Sequence, residues 1–319
     1  MPSIELVVIG NTCIDLYVPP HDAPPTGGIS LIPPLDVQLG GNGANTAVMA
    51  ARLGVRTALP AVLGDDLFGR HVKEQLEREG VLVDLLTLEP GQHSPITLVQ
   101  NDADGERSFV HHPGTNSTCR LPDVVRDLSG AHLHLAAPEL LPGIWPGAAI
   151  EIAESYRARG SSVSLDTFAA GDEDLSEEHR PLLERVDTIV PNEDEARRIS
   201  GRDDLEDVLA YFHDCGVKEV IITRGEQGAL LSIEGNAETI PATAVNAIDT
   251  CGAGDNFAAG FVTAKIRGFS SYDAARIGCS MGTLCVTERG ALSAGSSTEA
   301  RFQAIPADLR ERWREANET

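Results

Sequence analysis

The sequence predicts an α/β protein in which a mainly parallel sheet lies between two layers of helices, a three-layer α/β/α sandwich. Short, near-continuous apolar runs alternate with amphipathic helical stretches over most of the 319 residues. Strands of that kind are buried on both faces, which a parallel sheet covered by helices provides. The rhythm breaks at two places only, near 12–38 and 94–112, so one frame with inserted strands accounts for the chain.

The elements follow in order. Residues 4–10 read as the first strand, and 43–53 as an alanine-rich helix stopped by Gly54. Residues 57–63 read as the next strand and 67–79 as a charged helix stopped by Gly80. Strands at 132–136, 162–165, 188–190 and 219–223 then alternate with helices near 146–159, 176–185 and 203–214. Two long helices, about 254–267 and 271–286, follow with no strand between them. The tail after 305, with Arg310, Arg312 and Arg314 among acids, reads as a solvated terminal helix.

The two interruptions have a β character. Residues 12–38 carry six prolines, with strand-like pieces at 14–18 and 29–32. Residues 94–112 alternate like a hairpin, 96–100 and 107–111, around Asp102-Ala103-Asp104-Gly105. Strands inserted at two places are expected to pair into one small sheet lying over the main body as a lid.

Composition excludes several classes. Hydrophobic residues make up 42% and charged residues 23%, a globular profile. The first apolar run is too short and lacks the basic flank of a signal peptide, and no run approaches the roughly 18–20 residues of a membrane helix. A soluble, cytoplasmic protein is expected. With 48 acidic against 25 basic residues the formal net charge is −23, which repels nucleic acid and anionic membranes alike. The six cysteines contain no Cys-x-x-Cys pair and read as reduced core thiols. His111 and His112 are adjacent, so in a strand they face opposite ways and make no metal pair.

The chemistry concentrates in Asp249-Thr250-Cys251-Gly252-Ala253-Gly254-Asp255-Asn256-Phe257, just before a helix. Gly252 and Gly254 let the backbone turn and aim successive N–H groups at one point, and the helix start adds its positive end. Such a loop holds an anion without a lysine. Asp255 in the first helical turn would take the proton of an attacking hydroxyl while the loop stabilises a moving phosphoryl group. An Asp that merely caps a helix after a Gly-rich turn reads from the same letters.

Gly40-Gly41-Asn42-Gly43-Ala44-Asn45-Thr46 opens a second helix. Gly41-x-Gly43-x-x-Thr46 is a near miss to the dinucleotide fingerprint, and Asp65 and Asp66 stand about where a ribose-binding acid would fall. An NAD-dependent dehydrogenase is the rival enzyme class. It is disfavoured because residues 35–39, with Asp36 and Gln38, make a poor buried strand ahead of the glycines.

Together the two stretches resemble the PfkB family of carbohydrate kinases, the ribokinase-like fold, and the resemblance covers essentially the whole chain as one kinase domain, 1–319. Gly40-Gly41-Asn42-Gly43-Ala44-Asn45 is similar to the family's amino-terminal motif. Asp249-Thr250-x-Gly252-Ala253-Gly254-Asp255-x-Phe257-x-x-Gly260-Phe261 is similar to its carboxy-terminal one. The resemblance implies transfer of the γ-phosphoryl of ATP to a hydroxyl of a sugar or sugar derivative. Asp255 would be the base, and Gly252, Ala253 and Gly254 the anion hole. It places Asp15, Gly40, Gly41, Asn42 and Asn45 on the substrate, and Asn192, Thr223, Gly225 and Gly228 on the nucleotide. Glu195 would serve Mg²⁺, directly or through water, and Asp249 a monovalent cation such as K⁺. Asn192 and Glu195 read equally as caps of a helix at 193–200. His112-Pro113-Gly114-Thr115-Asn116 is similar to the segment that closes the family's lid, and a homodimer through the lid is a further implication. Cys13 and Asn42 depart from ribokinases proper, which carry Asn and Lys there, so ribose itself is in doubt. A nucleoside kinase of the same family and a non-catalytic sugar or nucleotide sensor are the alternatives.

Overall fold

The protein is described by a computed structural model over residues 3–19, 26–101, 107–128 and 131–318. The expected hairpin turn at 102–105 lies outside these residues. The chain opens with β1 (Leu6–Gly10), then β2 (Cys13–Val18), β3 (Asp36–Gly40) and helix α1 (Asn42–Arg52). Next come β4 (Thr57–Ala58), β5 (Ala61–Gly64), α2 (Leu67–Arg78), β6 (Leu86–Glu89), β7 (Ile96–Asn101) and β8 (Arg107–His112). The middle of the chain alternates: β9 (His132–Ala136), α3 (Gly147–Ala158), β10 (Val163–Asp166), α4 (Ser176–Leu183), β11 (Thr188–Ile189), α5 (Glu193–Ser200), α6 (Leu205–Asp214) and β12 (Glu219–Thr223). The hairpin β13 (Ala229–Ile233) and β14 (Asn236–Ile240) precedes α7 (Ala253–Ile266), α8 (Ser271–Cys285), α9 (Thr298–Ala304) and α10 (Arg310–Glu318).

Eight strands form the main sheet in the order β14-β13-β12-β11-β10-β9-β1-β4. Every pair from β12 to β4 is parallel, and β13 and β14 add an antiparallel edge. Because strand side chains alternate, each strand feeds two cores. Leu6 and Val8 of β1 join the core under α1, α7 and α8, while Val7 and Ile9 join the one under α3 to α6. The predicted three layers are present, as is the small sheet. It has four strands, β3-β2-β7-β8, and so unites the two inserted segments. Among the described residues no helix is long and apolar enough to cross a membrane.

Five local expectations are corrected. The strand expected at 57–63 is two: Thr57–Ala58 in the main sheet, and Ala61–Gly64 paired with β6 apart from it. Pro60 sits at the break, where it has no N–H for a ladder. The strand expected at 29–32 is absent, with Ile29 and Leu31 86% and 95% exposed. Residues 35–39, judged poor for a buried strand, supply most of β3 (Asp36–Gly40), because the edge of the small sheet tolerates Asp36 and Gln38. The β13–β14 hairpin was not anticipated, although Glu234 and Gly235 (φ 50° and 82°) make the left-handed pair a two-residue turn requires. Finally, α10 is not wholly solvated: Trp313 is 6% exposed and packs on Phe269 with ring centroids 5.8 Å apart.

Candidate active site

Parallel strands end together, and their carboxyl ends leave a crevice that connecting loops and helix starts line. Here a cavity of about 410 Å³ opens between those ends and the small sheet. The small sheet presents one pleat face to it. Asp15 pairs with Thr97 and Thr97 with His111, which brings Cys13, Asp15, Thr97, Phe109 and His111 to the same side. His111 and His112 do point apart. The opposite wall comes from the start of α1, the end of β10, the start of α5 and the 250–255 loop.

Asp255 lies in the first turn of α7, after Gly252 in a left-handed conformation (φ 75°). Its carboxylate is 6% exposed and held from both sides by the start of α1. Asn42 Nδ2 donates to Oδ1 at 3.0 Å, and Asn45 Nδ2 donates to Oδ2 at 2.8 Å. Burial pushes its pKa up to about 6 against these two hydrogen bonds, and the nearby Asp15 charge adds to the rise. A carboxylate so placed is ionised at neutral pH yet more basic than a free one, which suits proton abstraction. Asn256 locks the loop behind it, donating to the carbonyls of Gly252 and Ala291 at 2.8 Å each. A Cβ on Gly254 would meet nothing within 4 Å, so the loop opens onto free space there.

The first glycine motif has a different physical reason from phosphate binding. A Cβ on Gly40 would stand 2.2 Å from the Asp15 carboxyl carbon, so only glycine leaves Asp15 its place. One on Gly43 would stand 2.7 Å from the Gly10 carbonyl, so α1 could not start so close to the end of β1. Gly41 and Asn42 line the cavity, while Gly40 acts from behind Asp15. Burial pushes the Asp15 pKa up, countered by hydrogen bonds with Cys13 and Thr97. Cys13 Sγ lies 3.4 Å from Asp15 Oδ1 and 3.5 Å from Thr97 Oγ1, which lies 3.1 Å from His111 Nδ1. Burial keeps the Cys13 thiol protonated and its S–H available to Asp15.

Asn192 and Glu195 do form the capping box of α5: each side chain accepts the other's backbone N–H at 2.9 Å. They also line the cavity, so the capping role leaves both within reach of a ligand there. Facing them is Asp166, at the end of β10. Burial raises its pKa well above the usual range, and the charges of Asp255, Glu195 and Glu139 raise it further. Glu195 is pushed up to about 7, chiefly by burial. Crowded, desolvated carboxylates of this kind fit a divalent cation. Among the described residues no three His, Cys, Asp or Glu side chains form a direct cage. The donor set therefore suits Mg²⁺ that keeps much of its water.

A second cavity, about 560 Å³, adjoins the first. It is lined by Thr223, Gly225 and Gly228 on one side and by Val245, Phe257 and Thr283 on others. Thr223, Thr250, Ala253 and Gly254 belong to both cavities, so they meet at the α7 amino end. Asp249 lines neither. Its Oδ1 accepts the Cys251 N–H at 2.8 Å and its Oδ2 the Gly290 N–H at 3.0 Å, tying the anion loop to the 290 loop.

Sequence reasoning missed Asp166, Thr97 and the site role of His111, Phe109 and Phe168. Asp166 had a signal, an acid closing an apolar parallel strand; the others depend on which face of the small sheet turns inward. It also offered Asp66 to a ribose, whereas Asp66 caps α2 and binds Ser94: it accepts the Gly69 and Ser94 N–H groups at 2.8 Å.

Two cavities meeting at a helix amino end, one lined by carboxylate and amide side chains and the other by glycines, threonines and apolar side chains, are the arrangement of a small-molecule kinase. The chain belongs to the pfkB family of carbohydrate kinases, whose family model matches residues 3–299. It is 33% identical to the ribokinase of Haemophilus influenzae over 262 residues, 81% of this chain and 84% of that one. It is 28% identical to the fructokinase of Vibrio alginolyticus, over 83% and 92% of the two chains. The structure of Arabidopsis thaliana ribokinase complexed with ribose and ATP superposes with a TM-score of 0.81 at 26% identity, covering 95% of this chain and 99% of that one. The protein is thus a carbohydrate kinase with the ribokinase-like fold.

Proposed function

We propose that the enzyme transfers the γ-phosphoryl of ATP to a primary hydroxyl of a small sugar or sugar derivative bound in the first cavity, with Asp255 as general base. The observation that carries this is the place of the Asp255 carboxylate, gripped by Asn42 and Asn45 where the two cavities meet. Asp15, poised by Cys13, accepts substrate hydroxyls, and Asn42 and Asn45 keep the base pointed at the attacking one. The N–H groups of Gly252, Ala253 and Gly254, with the α7 dipole behind them, receive charge developing on the phosphoryl oxygens. ATP lies along Thr223, Gly225 and Gly228 in the second cavity, with Asn192 near its phosphates. Mg²⁺, when bound, neutralises phosphate charge; Glu195 and Asp166 would hold it, largely through water.

The chain is also similar to an aminoimidazole riboside kinase of Salmonella typhimurium, 30% identical over 268 residues. A nucleoside is therefore the second reading. Phe109 and Phe168, 57% and 44% exposed on the cavity wall, favour it because exposed rings suit a flat base. A silent sensor would need no raised, clamped base, so the sensor reading falls behind. Four further points belong to the same proposal. The chain is one domain with its small sheet as lid. K⁺ orders the anion loop beside Asp249, whose carboxylate would act through charge since it already accepts two backbone N–H groups. The enzyme works in the cytoplasm, in keeping with six free cysteines. Two copies pair through the lid, whose Leu31, Leu35, Val37 and Val110 are exposed.

The test is ADP formation with a panel of ketoses, aldoses, sugar acids and nucleosides. One acceptor that raises kcat/KM far above the background ATPase rate supports the reading, and no stimulation by any class overturns it. The cation part is tested by rates in potassium, sodium and a bulky organic cation at equal ionic strength; equal rates remove it.

A further inference from the structure

Helix α1 starts at Asn42, which holds Asp255, and ends ten residues later, at Arg52, on a separate cavity. This cavity has a volume of about 480 Å³, within the range of small-ligand sites. Its wall includes Arg52 at the end of α1, Arg301 and Phe302 of α9, Ile305, and Trp313 and Arg314 of α10. Three arginines on one wall are unusual in a chain with 25 basic and 48 acidic residues.

The arginines are not equivalent. Arg52 is neutralised: Nε and Nη2 both donate to Glu79 at 2.7 Å. Arg301 is 6% exposed and has no carboxylate within ion-pair distance among the described residues. Its Nη1 donates to the carbonyls of Gly295 and Ser296, and its Nη2 to Thr298 Oγ1 at 3.0 Å. A guanidinium has five N–H donors, so Nε–H and one Nη2 hydrogen have no partner among the described residues. Burial, with Arg52 nearby, lowers its pKa, and the Glu79 charge offsets only part of this. Arg314 stacks over Phe302, 4.9 Å from the ring centroid, and likewise pairs with no acid there. The one acid on the wall, Glu299, accepts from Gln303 at 2.7 Å. Buried charges are ordinarily paired, because leaving one uncompensated costs several kcal/mol.

We propose that this cavity is a second ligand site, which takes a small organic anion. The anionic group lies between Arg301 and Arg314, and the apolar body against Phe302, Ile305 and Trp313. The overall negative charge does not oppose this, since screening at physiological salt reduces distant charges beyond about 8 Å and leaves the local arginines dominant. The inference is independent of which hydroxyl the kinase phosphorylates.

Trp313 supplies a local readout, because the chain has two tryptophans and the Trp145→Phe variant leaves Trp313 alone. In that background, phenyl phosphate and benzoate are titrated while Trp313 emission is followed, with saturating ATP present to occupy the nucleotide cavity. A saturable change is expected with at least one of the anions, and a far weaker one with neutral benzyl alcohol. Losing a charged hydrogen-bond partner costs about tenfold or more in affinity, so Arg314→Ala should bind that much more weakly. Arg301→Lys should also weaken binding, since it keeps charge but loses the fork. Arg314 is exposed, so its removal should leave the fold intact and decides the matter if the Arg301 variant does not fold. No saturable change with either anion, or equal affinity of Arg314→Ala and the parent, would overturn the proposal.

Discussion

Asn45 Nδ2 and Asp255 Oδ2 lie 2.8 Å apart across 210 positions of chain, so the first turn of one helix fixes the acid of another. Asn42 does the same to the other oxygen. The two sequence motifs are thus one device: the α1 start orients and tunes the carboxylate that the α7 start presents. Four expected outcomes follow from this device and its surroundings.

Asp255→Asn removes the proton acceptor and one buried charge. General-base catalysis contributes about 10²- to 10⁴-fold, so kcat should fall at least a hundredfold while ATP binding holds or tightens. One amide hydrogen will face an Asn donor, at a cost of about 1–3 kcal/mol, offset by no longer burying a charge. Single-turnover kinetics and nucleotide titration check this, and near-normal kcat in a folded variant rejects the mechanism.

The acid limb of kcat/KM should bend near pH 6, where Asp255 titrates. Below that pH the base is protonated and the rate falls about tenfold per unit. Asn45→Ala deletes a hydrogen bond that lowers the Asp255 pKa, so its limb should move to higher pH. A limb that stays near pH 4, or does not move in the variant, assigns the proton elsewhere.

Gly40→Ala forces a methyl against the Asp15 carboxyl. Displacing Asp15 should raise the acceptor KM tenfold or so and leave nucleotide affinity unchanged, since Asp15 lines only the first cavity. Steady-state kinetics with each substrate varied in turn separate the two effects. A matched loss in both would mean that the fold, not Asp15, was disturbed.

His134 is fully buried, and burial pushes its pKa down to about 3. The unfolded chain titrates this histidine near 6.5, so between those values the unfolded state binds the proton and the folded state does not. Its stabilisation is therefore complete above about pH 6.5 and is lost as pH falls. Asp255 and Glu195, with raised pKa values, work the opposite way, so the comparison must be with a variant. Relative to His134→Gln, the wild type should lose about 2 kcal/mol between about pH 7.5 and 5. Urea unfolding of both proteins at the two pH values measures it, and parallel profiles would show that His134 titrates normally.

The sequence by itself determined the α/β frame, because buried parallel strands must be apolar on both faces and the helices between them must be amphipathic. It determined the start of α7 for the same local reason: Gly252 turns left-handed and the helix follows, so the loop Thr250–Asp255 could be placed from its letters. It also joined 12–38 to 94–112 in one small sheet, since inserted strands need partners. Only the tertiary structure decided that the second strand of that first segment is Asp36–Gly40. Asp36 and Gln38 argue against burial, and an edge position excuses them only once the sheet is assembled. Tertiary structure likewise decided that Gly40 serves Asp15, that Asp166 stands against Glu195, and that Asn42 and Asn45 grip Asp255. These are contacts between residues far apart in the chain, and no local periodicity encodes the distance at which two such elements finally pack.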